Sequence, residues 1–151
     1  MKENSLVFAF GKQKRWVKWS FEKKNGKLTK VPYQILGVDG VGYASSTDPN
    51  TWSTYHDLIK ISQNIGIVFT EDKLLLGIDI DHCLKNGKID HPDSDKIERF
   101  LAEMDTYVEI SPSGKGLHLY VILTEPLELT RKRKGSFVSR VVMEPSEFIA
   151  P

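Results

Sequence analysis

Asp79 and Asp81 are the residues whose type and spacing most directly suggest chemistry. They sit in Leu74-Leu75-Leu76-Gly77-Ile78-Asp79-Ile80-Asp81-His82, where three leucines run into a strict alternation of isoleucine and aspartate. A buried strand with one apolar and one acidic face reads this way. Residues two apart on a strand point to the same side, with Cα atoms about 7 Å apart. Two carboxylates at that separation repel one another and can share one or two cations, and oxygen-only ligands suit Mg²⁺ or Mn²⁺. The same spacing also fits a strand leaving the core with its acids solvated. A second cluster is Ser111-Pro112-Ser113-Gly114-Lys115-Gly116-Leu117-His118. Its glycines let backbone N–H groups approach a ligand, while Ser113 adds a donor and Lys115 a cation, a set suited to phosphate. A plain hairpin turn with a solvated lysine would look similar. No Gly-Lys pair in the chain is followed by Ser or Thr, so the loop is not of Walker A type. His118 shares a strand face with Tyr120 and Ile122. It gains chemical meaning only if its strand lies beside that of the aspartates.

These clusters need a scaffold. A chain of 151 residues, 40% hydrophobic and 27% charged, is read as one globular domain over 1–151 with a true core. Cys83 is the only cysteine, which excludes an internal disulfide and a cysteine-built zinc site. No apolar run approaches a membrane span and no signal-peptide pattern opens the chain, so a cytoplasmic protein without membrane contact is expected. Charge is uneven. Residues 1–30 hold nine Lys/Arg against two acids, residues 31–130 seven against sixteen, and residues 131–151 five against two. Basic ends around an acidic middle suit a polyanion held near a metal site, and scattered surface lysines give the same count.

Along the chain, Arg15–Phe21 alternates. Lys24-Asn25-Gly26-Lys27 signals a type I′ hairpin turn, and Leu28–Ile35 returns as a second strand. Pro32 lacks a donor and predicts an edge position for that strand. Aromatics interleave with the lysines here, as a single-strand binding surface requires, although Trp16 and Trp19 are better read as core. Asp48 as N-cap, Pro49 at N1, and Trp52, Tyr55, His56 and Ile59 at helical spacing predict a helix near 49–62. Ile65–Thr70 and Leu74–Asp81 are expected to pair as an antiparallel hairpin. Leu84–Asp93 reads as a polar loop that fails the EF-hand pattern. A helix over about 94–104, capped by Asp93 or Ser94, presents Ile97, Phe100, Leu101 and Met104. Strands follow at Tyr107–Ser111 and Leu117–Leu123, then a basic run at 130–135 and strand composition at 137–143.

In order, Trp16-Val17-Lys18-Trp19, Lys27 to Tyr33, Asp48-Pro49 with Trp52, Gly66 to Thr70, Gly77 to Asp81 and Tyr107 to His118 resemble the archaeo-eukaryotic primase superfamily. The similarity is to its phage and mobile-element primase-polymerase domains, over about residues 15–123. The resemblance implies an α+β fold: an RRM-like antiparallel catalytic sheet with packed helices, preceded by a small N-terminal α/β unit. It implies template-directed nucleotide transfer in DNA replication, on single-stranded DNA with NTPs or dNTPs, in some members beside a replicative helicase. In the family's roles, Asp79 and Asp81 would hold Mg²⁺ or Mn²⁺ and His118 would contact the nucleotide's phosphates. Ser113 and Lys115 would assist, and Lys30 would touch nucleotide or template. The family's third carboxylate is not evident near Val138; Glu144 is the nearest acid, and the C-terminal part of the domain reads as incomplete. Two further readings follow from that departure: a degenerate module that only binds nucleic acid or nucleotide, and a metal-dependent nuclease.

Overall fold

The computed structural model describes residues 5–37, 40–70, 72, 74–126, 140–142 and 148–149, the last two segments as backbone alone. In chain order the elements are α1 (Ser5–Phe10), β1 (Trp16–Lys24), β2 (Lys27–Leu36), β3 (Gly40–Tyr43), a 3₁₀ turn (Pro49–Thr51), α2 (Tyr55–Leu58), β4 (Ile65–Val68) and β5 (Leu75–Ile80). They continue with β6 (Leu84–Lys85), β7 (Lys88–Ile89), α3 (Ser94–Met104), β8 (Tyr107–Ile110), β9 (Leu117–Ile122), β10 (Arg140–Val142) and β11 (Phe148–Ile149). The fold is α+β with antiparallel sheets. The described residues form two compact units, one from 5 to 70 with β11 and one from 72 to 142.

In the first unit the sheet order is β11-β4-β1-β2-β3. Asn25 and Gly26 adopt positive φ, as the Asn-Gly signal requires, and join β1 to β2 from Lys24↔Lys27 to Lys18↔Tyr33. β2 is not an edge strand, contrary to the expectation from Pro32. β3 pairs with it only from Tyr33↔Tyr43 to Leu36↔Gly40, so Pro32 lies just past that ladder. Its carbonyl accepts from Ala44 N at 3.0 Å, and Trp19 N turns the other way, to Asn64 O at 3.0 Å. The missing donor therefore falls where no ladder bond is required.

The expected helix over 49–62 is also broken. Asp48 caps the 3₁₀ turn through Asn50 N, and Thr54 caps α2 through Asp57 N. Between them Ser53 exchanges two backbone bonds with Trp16, at 2.8 and 3.0 Å, which pulls the chain out of helical geometry. Trp16 and Trp19 are buried, as their core reading requires.

In the second unit the order is β10-β5-β9-β8, all antiparallel. The strands occur in the chain as β5, α3, β8, β9, β10, so this is the split-βαβ arrangement of an RRM-like sheet. The predicted hairpin between residues 65–70 and 74–81 does not form. β4 is bonded to β1 and β11 and β5 to β9 and β10, so the intervening turn connects two different sheets. Ile78, Ile80, Leu117 and Leu119 cover one face and pack with Ile97 of α3, joined by Phe100, Leu101 and Met104. Asp93 is the N-cap of α3, which spans the predicted range. The 84–89 segment, read as loop, is a small hairpin: Asn86 and Gly87 take positive φ between β6 and β7.

Candidate nucleotide and metal site

The sheet of the second unit has a second face, and the register decides what it carries. Asp79 of β5 stands directly opposite His118 of β9, and His118 opposite Glu109 of β8. One step along, Gly77, Tyr120 and Tyr107 form the next row. Alternation turns Leu76, Ile78, Ile80, Leu117 and Leu119 toward α3, leaving these polar side chains together on the opposite face.

The polar groups interlock. His118 Nε2 lies 3.7 Å from Asp79 Oδ1, and His118 Nδ1 lies 3.2 Å from Glu109 Oε1. The Tyr120 hydroxyl donates to Glu109 Oε1 and the Tyr107 hydroxyl to Glu109 Oε2, each at 3.1 Å. The His118 and Glu109 side chains are each only 10% exposed, against 21% for Asp79. Burial, followed by the adjacent Glu109 carboxylate, pushes the Tyr120 hydroxyl well above the usual phenol range, so it remains a donor. Burial also pushes the Cys83 thiol up, and the charges of Asp79 and Asp81 act on it in the same direction.

Asp81 differs from the expectation of two carboxylates on one continuous strand. β5 ends at Ile80; Asp81 opens the following turn, is exposed, and precedes His82 at positive φ. The Ser-Pro-Ser-Gly-Lys-Gly turn comes up against this strand end. A Cβ on Gly116 would fall 2.8 Å from Ile80 O and 3.5 Å from Asp81 Cα, so glycine is what permits the approach. Gly114 takes φ 71°. Inside the turn Ser111 Oγ accepts from Gly116 N at 3.1 Å, Ser113 Oγ accepts from Lys115 N at 3.3 Å, and the two hydroxyls are 2.9 Å apart. Ser113 and Lys115 are exposed.

Asp79, His118 and the turn bearing Ser113 and Lys115 thus belong to one unit, with Asp81 at the strand end. Lys30 belongs to the other unit, where its Nζ lies 5.0 Å from the centroid of the Trp19 ring. Glu144, Val138 and the basic run at 131–134 lie outside the described residues. β10 reads Arg140-Val141-Val142, and its backbone pairs Arg140 with Asp79, so it brings no carboxyl to the positions opposite β5. Among the described residues no three His, Cys, Asp or Glu side chains are grouped closely enough to hold a metal ion by themselves. Two hard oxygen donors at a strand end nonetheless fit a magnesium-type ion, which keeps several waters and takes others of its ligands from substrate phosphates.

The sequence does not single out Glu109, which the register sets beside His118. Its signal was available: an acid between Val108 and Ile110 on a strand, in phase with Tyr107 and, through the hairpin register, with His118.

The first unit carries a second candidate surface. Tyr33 and Tyr43 stack at 5.4 Å between centroids, with Lys18 Nζ 5.9 Å from the Tyr33 centroid and Lys24 Nζ 5.6 Å from that of Tyr43. Tyr43 is 64% exposed. Cations beside exposed aromatic faces are the elements of a single-strand binding platform. No helix among the described residues is long and apolar enough to cross a membrane.

No family model matches the chain. It is 33% identical over 137 residues, 87% of its length, to a DNA primase-polymerase of Nitratiruptor phage NrS-1. The matched stretch is 18% of that relative's length. This similarity, spanning the strands that carry Asp79, Glu109 and His118, places the chain in the phage-type primase-polymerase family.

Proposed function

We propose that the chain is a primase-polymerase catalytic domain that transfers nucleotides to a growing strand on a single-stranded DNA template. The observation that carries this reading is the register Asp79↔His118 on the polar face, with the turn that bears Ser113 and Lys115 meeting the end of the same strand at Gly116. In that reaction the 3′-oxygen of the primer bonds to the α-phosphorus of an NTP or dNTP, and the bond to pyrophosphate breaks. The Nε2–H of His118, in a ring protonated on both nitrogens, holds the triphosphate together with the exposed Ser113 hydroxyl and Lys115 ammonium. The carboxylates of Asp79 and Asp81 hold Mg²⁺ or Mn²⁺. A divalent cation bound there lowers the pKa of the attacking hydroxyl and neutralises charge on the leaving group. The stacked Tyr33–Tyr43 pair with Lys18 and Lys24, supported by Lys27 and Lys30, serves the DNA strand.

The test is incorporation by the purified 151-residue chain with Mn²⁺, primed and unprimed templates, and NTPs or dNTPs. Incorporation above the Asp79→Ala background is expected. Salt-sensitive DNA binding with no incorporation would instead make the chain a nucleic-acid-binding module. Template cleavage without added nucleotide would make it a nuclease.

A further inference from the structure

We infer that Glu109 is the positioning residue for His118: it accepts a hydrogen bond from Nδ1–H and so presents Nε2 on the Asp79 side of the polar face. The inference rests on the nucleotide-transfer reading for its purpose, but its structural content stands by itself.

A buried carboxylate in a sheet is costly unless its oxygens are satisfied. Glu109 meets that requirement through three neighbours: His118 Nδ1 and the Tyr120 hydroxyl at Oε1, and the Tyr107 hydroxyl at Oε2. Both oxygens are fixed, so the carboxylate cannot rotate without breaking a bond from β8 or β9. Tyr120 is fully buried and stays a donor, which leaves Glu109 acting as acceptor toward it. An ionised carboxylate only accepts hydrogen bonds, so the short contact to His118 is made when Nδ1 carries the proton. The nitrogen turned to the Asp79 side is then Nε2, 3.7 Å from Asp79 Oδ1, and it meets a phosphate oxygen as Nε2–H when the ring carries both protons. A carboxylate that orients a histidine through its far nitrogen sets both the tautomer and the ring plane. An apolar residue at 109 would fill the strand position equally well but would leave both histidine nitrogens undefined.

The experiment reads the His118 tautomer by long-range ¹H–¹⁵N correlation on the full chain without nucleotide, and then the KM for dNTP with Mn²⁺. In the unsubstituted chain the proton is expected on Nδ1. Glu109→Ala should lose that preference and raise KM by roughly tenfold to a hundredfold. Glu109→Gln, whose amide oxygen can still accept from Nδ1, should restore both in large part. Tyr107→Phe, which removes one anchor and leaves the backbone pairing intact, should give a smaller change in the same direction and serves if Glu109→Ala does not fold. A proton on Nε2 with none on Nδ1 in the unsubstituted chain, or an unchanged tautomer and KM in Glu109→Ala, overturns the assignment. A chain that incorporates nothing overturns the proposed reaction instead, and the tautomer measurement still decides the role of Glu109.

Discussion

The two sheets use charge in opposite ways. In the unit from 72 to 142, Asp79, His118 and Glu109 are largely withdrawn from water and tied into one row by strand register. In the unit from 5 to 70, the charges on the hairpin are mostly solvent-exposed lysines set beside tyrosines and Trp19. Buried groups act through distance and orientation and are little screened by salt, whereas exposed cations act collectively and are screened within about 10 Å at 0.1 M salt. For the proposed function, the first arrangement suits a reacting group held in a fixed place, and the second suits a polyanion held without fixing its sequence.

Asp79→Ala should break this contrast most severely. Incorporation is expected to fall by at least about a thousandfold, roughly 4 kcal/mol of barrier, while salt-dependent DNA binding stays unchanged. Equal losses of binding and incorporation would mean that the acidic row and the basic hairpin are not separate devices. The converse change, Lys24, Lys27 and Lys30 together to Ala, should weaken single-strand binding and lower the slope of log K against log salt by about 2. An unchanged slope would remove the hairpin from the DNA-binding account.

The smallest effect concerns the buried row alone. Because burial and Glu109 raise the Tyr120 hydroxyl above its unfolded value, the folded chain holds that proton more tightly. The associated stability is fully present below about pH 10, the ordinary phenol value, and is lost as pH rises through the folded value. Tyr120→Phe should therefore flatten the decline of Tm above pH 10, and it should lower stability at neutral pH by about 1 kcal/mol through the lost bond to Glu109. An identical alkaline decline in both proteins would show that Tyr120 is not the titrating group.

Local signals in this chain were readable where they act locally. Asn25-Gly26 dictates its hairpin, and Ile97, Phe100, Leu101 and Met104 dictate the buried side of α3. Asn86-Gly87 carries the same turn chemistry, yet its flanking strands are only two residues each and give no alternation to detect. Signals that depend on partners were not readable. Pro32 misleads because its consequence depends on where β3 stops, and the helix pattern over 49–62 yields to the Ser53–Trp16 bridge. The apolar runs at 65–70 and 75–80 look like a hairpin because composition does not say which sheet a strand joins. The motifs single out Asp79 and His118 as candidates, and their adjacency is not legible there, because it depends on a register across 39 residues of chain. Glu109 became visible only through that register.

The most direct test of the central claim is Mn²⁺ titration of the chain followed by the Cε1 proton resonance of His118. A paramagnetic ion held by Asp79 and Asp81 should broaden that resonance at low Mn²⁺ concentration, and Asp79→Ala should abolish the broadening. A His118 resonance that Mn²⁺ leaves sharp, or broadening that survives Asp79→Ala, would contradict the account.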